Sequence, residues 1–327
     1  MPRPATRRRG LVAALATVAV LSACTGNTDD RAESTPTPAV AATAAASTAD
    51  TTLKSAVAAL ADTSPTGEAA REAVFTGPAL ESANAWAKTL PGKTPAQKAD
   101  AQLSTSGAEV IGVSRVGDEP KQLLVETTLE KSQAAVLALL VGDEAGQEFK
   151  VAALTPMLTE ARVDELDATS IGSEAIGSGE GLAITPEEAS QSLADSLSYP
   201  EPEETTALVE DPFSAQLRQS AAAQAKAISA SGTFTQSHEP KDVLGGLRLK
   251  DGSGAIVFTH LVRTDSIAMR QPTKLKPSKD LTLLTGIKQI TSEASLESNQ
   301  IVALVIPTAG AARVVAAWDQ LVGGTGR

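Results

Sequence analysis

Residues 109–116 (EVIGVSRV), 121–129 (KQLLVETTL), 133–141 (QAAVLALLV) and 148–158 (EFKVAALTPML) decide the fold. Each is a short aliphatic, strand-like run, and the turns between them contain Gly, Asp or Lys. That pattern predicts an antiparallel meander. Helical patterns precede it. Leu53, Val57 and Leu60 recur at helical spacing. A second helix opens at Phe75-Thr76-Gly77-Pro78, with Pro78 suited to the first helical position. Leu80, Ala83, Ala87 and Leu90 form its buried stripe, with Trp86 alongside, and Pro91-Gly92 ends it. Helices followed by a meander give an α+β fold, with helices on one face of an antiparallel sheet.

The same order then recurs. Residues 159–181 are acidic, Gly/Ser-rich and unpatterned, as in a loop. Thr185-Pro186-Glu187-Glu188 is a capping box that starts a helix carrying Leu193 and Leu197. Asp211-Pro212 starts another, with Phe213, Leu217, Ala221, Gln224 and Ile228 as its stripe. Strand-like runs follow at 233–237, 243–249, 255–263, 281–284 and 301–306, and 312–318 suits a last strand. The expectation is two modules in tandem, 51–180 and 181–327, repeating element order without a residue-by-residue repeat.

The N-terminus reads as an address. Arg3, Arg7, Arg8 and Arg9 form a basic region, and residues 11–20 form an apolar run. That run is too short to span a hydrocarbon core of about 30 Å as a helix. It suits a signal peptide over residues 1–23. Leu21-Ser22-Ala23-Cys24 resembles a lipobox, the bacterial lipoprotein signal. The resemblance implies a diacylglycerol thioether on Cys24, with palmitate-like chains, and cleavage just before it. Two acyl chains hold a protein on a membrane where one is marginal. An ordinary cleaved signal with a chance cysteine is the blander reading. Thr6 to Leu11 is also similar to a twin-arginine signal, with Gly10 where that motif prefers an aromatic, so the general and twin-arginine routes both stay open. Residues 24–50 are Thr-, Ala-, Pro- and Ser-rich with few large apolar residues, and are expected to form a disordered tether.

Net charge is −11, and removing residues 1–23 takes away four arginines and no acid, leaving −15. That balance argues against nucleic acid as a partner, because such binders need a basic face. The acids concentrate before residue 211, where the balance from Cys24 is −19; from Asp211 to the end it is +4. Cys24 is the sole cysteine. With it lipidated no disulfide can form, so packing must supply the stability. Aromatics make up only 2% of the chain, so the core must be aliphatic. High Ala, Thr and Gly with few Lys also suits a high-GC bacterium such as an actinomycete.

Three segments carry a family likeness: Phe75-Thr76-Gly77-Pro78-Ala79-Leu80 after a short helix, Asp211-Pro212-Phe213, and Leu304-Val305-Ile306-Pro307. Together they resemble a family of uncharacterised actinobacterial lipoproteins over most of residues 51–325. The resemblance implies tandem NTF2-like (cystatin-like, cone-shaped) modules. It implies no activity and no catalytic residue.

Signatures of chemistry are sparse. There is no Gly-x-Ser-x-Gly elbow and no Ser-x-x-Lys. Only His238 and His260 offer an imidazole base; His260 alternates onto the face of Ile256, Phe258 and Val262, while His238 sits in a turn-like Ser-His-Glu-Pro. Two histidines with no free cysteine make no zinc signature, and no EF-hand or phosphate-binding glycine loop is present. No cofactor, metal or catalytic residue is therefore assigned. The acids at 159–167 and 201–211 read as solvated. Lys274, Lys276 and Lys279 suit either phosphate contact or an exposed, lysine-protected loop or edge. Trp86 and Trp318 suit either a pocket lining or core anchoring.

The resulting expectation is a lipid-anchored protein of the extracytoplasmic face of the cell membrane. It is expected to be non-enzymatic and to bind an envelope protein partner. A carrier or sensor holding an apolar or lipid ligand in one cone is the alternative, and an enzyme with a dispersed site is the second.

Overall fold

Strict alternation fails in the middle of the first sheet, and the failure shows how the protein is layered. Gln122, Leu123, Leu124 and Val125 are buried at four successive positions. Successive strand residues point to opposite faces, so both faces of this sheet are covered. The computed structural model describes residues 35–143 and 148–327. Within it, residues 36–327 form one unit.

The first sheet is the expected meander: β1 (Glu109–Val113), β2 (Gln122–Thr128), β3 (Ala135–Gly142) and β4 (Phe149–Pro156), antiparallel in that order. β2 and β3 pair without interruption from Gln122↔Val141 to Thr128↔Ala135. The chain is therefore of α+β class, and its second half repeats the arrangement. β5 (Gly232–Arg248), β6 (Gly254–Met269), β7 (Glu293–Pro307) and β8 (Arg313–Gly326) form a second four-stranded antiparallel meander with far longer strands. The runs at 233–237 and 243–249 are one strand, bent by bulges at Pro240/Asp242 and Val243/Gly245. Pro240 is tolerated because β5 is an edge, where a missing N–H costs no interior ladder bond.

Among the described residues, four α-helices precede the first sheet: α1 (Ala42–Ala61), α2 (Gly67–Val74), α3 (Gly77–Thr89) and α4 (Pro95–Asp100). α1 begins at Ala42, inside the segment expected to be tether. Ala45, Ala49, Leu53, Ala56 and Ala59 form its buried stripe. Alanine has the best helix propensity, and its small side chain lets the helix approach the sheet closely. Arg71 of α2 ties these helices together from a buried position. It donates to the Asp62 carbonyl (2.7 Å), the Ala59 carbonyl (3.4 Å) and Asn84 Oδ1 (2.6 Å).

α5 (Pro186–Ser196) starts at the expected capping box, with Thr185 Oγ1 accepting from Glu188 N at 3.1 Å. α6 (Pro212–Ile228) is capped by Asp211. The run at 281–284 was expected as a strand, but lies in α7 (Lys279–Thr285). Ser278 accepts from Leu281 N at 3.1 Å, and Gly286 closes the helix at φ 77°. Those two cap residues outweigh the strand-like look of Leu-Thr-Leu-Leu, a run too short to show a period.

Two hydrophobic clusters cover opposite faces of the second sheet. Ala189, Leu193, Ala194 and Leu197 of the α5 segment pack on Val257, Leu261, Val302 and Leu304. The principal cluster lies on the other side and crosses residue 180. It joins α1 and α3 to Val113, Leu124 and Leu139 of the first sheet, and to Leu247, Ile256, Phe258, Ile301 and Val305 of the second. The sheets meet closely where Gly246 N donates to the buried Gln122 Oε1 at 2.8 Å. A Cβ on Gly245 (φ 144°) would come within 2.7 Å of that same oxygen, so glycine is required there.

Candidate functional site

The principal cluster does not close completely. A cavity of about 650 Å³ lies where α1 and α3 cross the first sheet beside β7 and β8. α1 contributes Val57 and Leu60; the second sheet contributes Ile301, Trp318 and Gln320. Phe75 precedes α3, which adds Ala79, Ser82, Ala83 and Trp86, while Val136 and Leu154 come from the first sheet. α3 faces the space with the small side chains of Ala79, Ser82 and Ala83 beside Trp86. Its volume falls within the roughly 300–1,000 Å³ of small-molecule sites, which are mostly apolar with a few placed polar groups.

The polar lining is unevenly distributed. Gln97, Lys98, Asp100 and Gln102 line the cavity, belong to α4 and the two residues after it, and are exposed, so this segment forms the mouth. α4 is fixed by a capping box in which Thr94 Oγ1 accepts from Gln97 N and Gln97 Oε1 accepts from Thr94 N. Asp100 is paired with Lys131 at 2.6 Å, and Lys93 with Asp280 at 2.6 Å. Lys93 Nζ also stands 5.7 Å from the centre of the Trp86 ring. Deeper in the wall, Ser82 Oγ is buried and has no hydrogen-bond partner among the described residues. The structure thus places both tryptophans in the wall, each half-buried.

The histidines are not brought together. His238 pairs across the β5–β6 ladder with Arg263, three residues from His260, so the imidazoles project from opposite faces. On the cavity side of the sheet, His260 Nε2 lies 3.1 Å from Asn299 Oδ1, and Asn299 Nδ2 donates to Glu81 Oε2 at 2.8 Å. On the α5 side, His238 Nδ1 faces Gln300 Oε1 at 2.8 Å, and Gln300 Nε2 donates to Asp319 Oδ2 at 3.2 Å. Arg263 donates to Asp319, and its Nη2 lies 3.3 Å from Asp265 Oδ2.

Burial pushes the carboxyls of Asp265 and Asp319 above their ordinary range, with Arg263 opposing the shift. Burial depresses His238 to about 4, the Gln300 hydrogen bond opposing and the Arg263 charge reinforcing it. Among the described residues no hydroxyl or thiol hydrogen-bonds to either imidazole.

Other sequence candidates are dispersed. Lys274 and Lys276 are exposed on a segment held by a Leu275↔Ile290 bridge, and Lys279 Nζ donates to the Gly92 carbonyl at 2.9 Å. Glu203, Glu204, Glu210 and Arg218 border a smaller polar cleft of about 360 Å³, where Asp211 is occupied in capping α6. Among the described residues no group of three His, Cys, Asp or Glu side chains is placed to hold a metal, and no helix is long and apolar enough to cross a membrane. Leu21, Ser22, Ala23 and Cys24 lie outside the described residues.

The mouth was missed in sequence, although Thr94-Pro95-Ala96-Gln97 carries the same capping signal as Thr185-Pro186-Glu187-Glu188. No protein-family model, no curated protein and no solved structure matches this chain.

Proposed function

We propose that this protein is a lipid-anchored binding protein of the extracytoplasmic membrane face that holds an apolar ligand in the cavity between α3 and the two sheets. The carrying observation is an apolar space of about 650 Å³ walled by Trp86 and Trp318. The Cys24 lipobox supplies the membrane location in this reading. Each helices-plus-meander half is one NTF2-like module, and the ligand sits where the halves meet, not inside one cone.

Both tryptophans line the proposed site, so indole fluorescence reads it directly. Titration of the full chain with a neutral long-chain alcohol should shift or quench the emission saturably. Native mass spectrometry of gently purified protein should retain a small apolar molecule. Absence of both signals would overturn the proposal and return the expected envelope protein partner to first place.

A further inference from the structure

We infer that the ligand is a single-chain amphiphile with an anionic head, its chain between Trp86 and Trp318 and its head at Lys98. The inference rests on the ligand-holding reading above and adds the chemistry of the head. Three charged residues line the cavity: Lys93, Lys98 and Asp100. Two are already neutralised, Lys93 by Asp280 and Asp100 by Lys131, each at 2.6 Å. The Lys98 side chain has no ion pair or hydrogen bond among the described residues, although it is an exposed lysine in a chain of net charge −11. The mouth therefore carries one ammonium group, Lys98, that no carboxylate among the described residues offsets, above an apolar interior.

That arrangement fits an amphiphile better than a neutral hydrocarbon or a cation. An ammonium group at the edge of a low-dielectric cavity attracts an anion more strongly than one in open solvent. Lysine also acts as a mobile point charge, suited to a carboxylate or a phosphate without demanding bidentate geometry. The two heads share this chemistry, and the test separates them.

The test uses the full chain and three probes of one chain length: hexadecanol, hexadecanoate and hexadecyl phosphate, each followed by tryptophan emission at low salt. Hexadecanoate or hexadecyl phosphate should bind about fivefold tighter than the alcohol, as expected of one partly exposed ion pair, and added salt should shrink the difference. The tighter of the two anions identifies the head as carboxylate or phosphate. Lys98→Glu should remove the anion preference, and its urea midpoint should match the parent's, which shows the wall intact. Equal affinity for alcohol and anions, or an anion preference that survives in Lys98→Glu, overturns this inference and leaves the cavity reading standing. Failure of all three probes overturns the cavity reading itself.

Discussion

His238 Nδ1 lies 2.8 Å from Gln300 Oε1, while His238 Nε2, buried on the other side of the ring, has no partner among the described residues. Gln300 uses its amide nitrogen on Asp319, so its oxygen must accept and Nδ1 must carry the proton. Nε2 is then a bare lone pair with nothing to stabilise a second proton.

The pH dependence of stability follows. Folded His238 stays neutral down to about 4, whereas in the unfolded chain it binds a proton below 6.5. The unfolded state binds more protons across that window, so stability falls as pH drops from 6.5 towards 4, by roughly 3 kcal/mol in total. Asp265 and Asp319 act in the opposite sense. Their raised values give stability that is present below the ordinary 3.8 and lost as pH rises through the folded value. His238→Asn keeps a donor for Gln300 and removes the titration. Urea unfolding between pH 4 and 7 should be flatter in this variant than in the parent, and an unchanged slope would refute the assignment. Asp265→Asn should steepen the parent's acid slope.

Gln122 and Gly246 join the sheets, and the principal cluster spans both halves. Gln122→Leu leaves a buried N–H unpaired and should cost about 1–3 kcal/mol. A shared core also requires a single transition. Trp86→Phe and Trp318→Phe each leave one indole reporting on one half. Their urea midpoints by fluorescence should coincide with the midpoint by circular dichroism. Two resolved midpoints would mean that the halves fold independently.

Ala83 lines the cavity wall on α3. Ala83→Leu should fill part of the space, weaken hexadecanol binding at least tenfold, and change stability by no more than about 1 kcal/mol, since the added methyls enter existing room. Unchanged affinity would place the ligand elsewhere.

The N-terminal proposal has its own test. Cys24→Ala should leave the chain uncleaved by lipoprotein processing and shift it out of the acylated fraction. Residues 36–327 should still fold, because none of the interactions described above involves Cys24. Metabolic labelling with a fatty-acid analogue checks this, and continued acylation would refute the lipobox.

Legibility in the sequence followed locality. Thr185-Glu188 and the meander at 109–158 are patterns within a few residues, and the structure reproduces them. The run at 281–284 was misread because four residues cannot separate a period of two from one of 3.6. The start of α1 was placed too late because Ala45 and Ala49 are buried by close approach, which hydropathy does not register. The cavity was least legible. It is walled by the small side chains of Ala79 and Ala83 together with Ile301 and Trp318, more than 200 residues away. The Gln300–His238 contact, 62 residues apart, was hidden for the same reason.

The core shared across residue 180 also has a consequence for biogenesis. Chains emerge N-terminus first. When β1–β4 are complete, Leu124 and Leu139 still lack the covering that Leu247, Ile256 and Phe258 bring later. That face of the first sheet is completed only when the second half arrives. Early truncation of the chain therefore leaves an apolar sheet face uncovered, not a smaller finished domain.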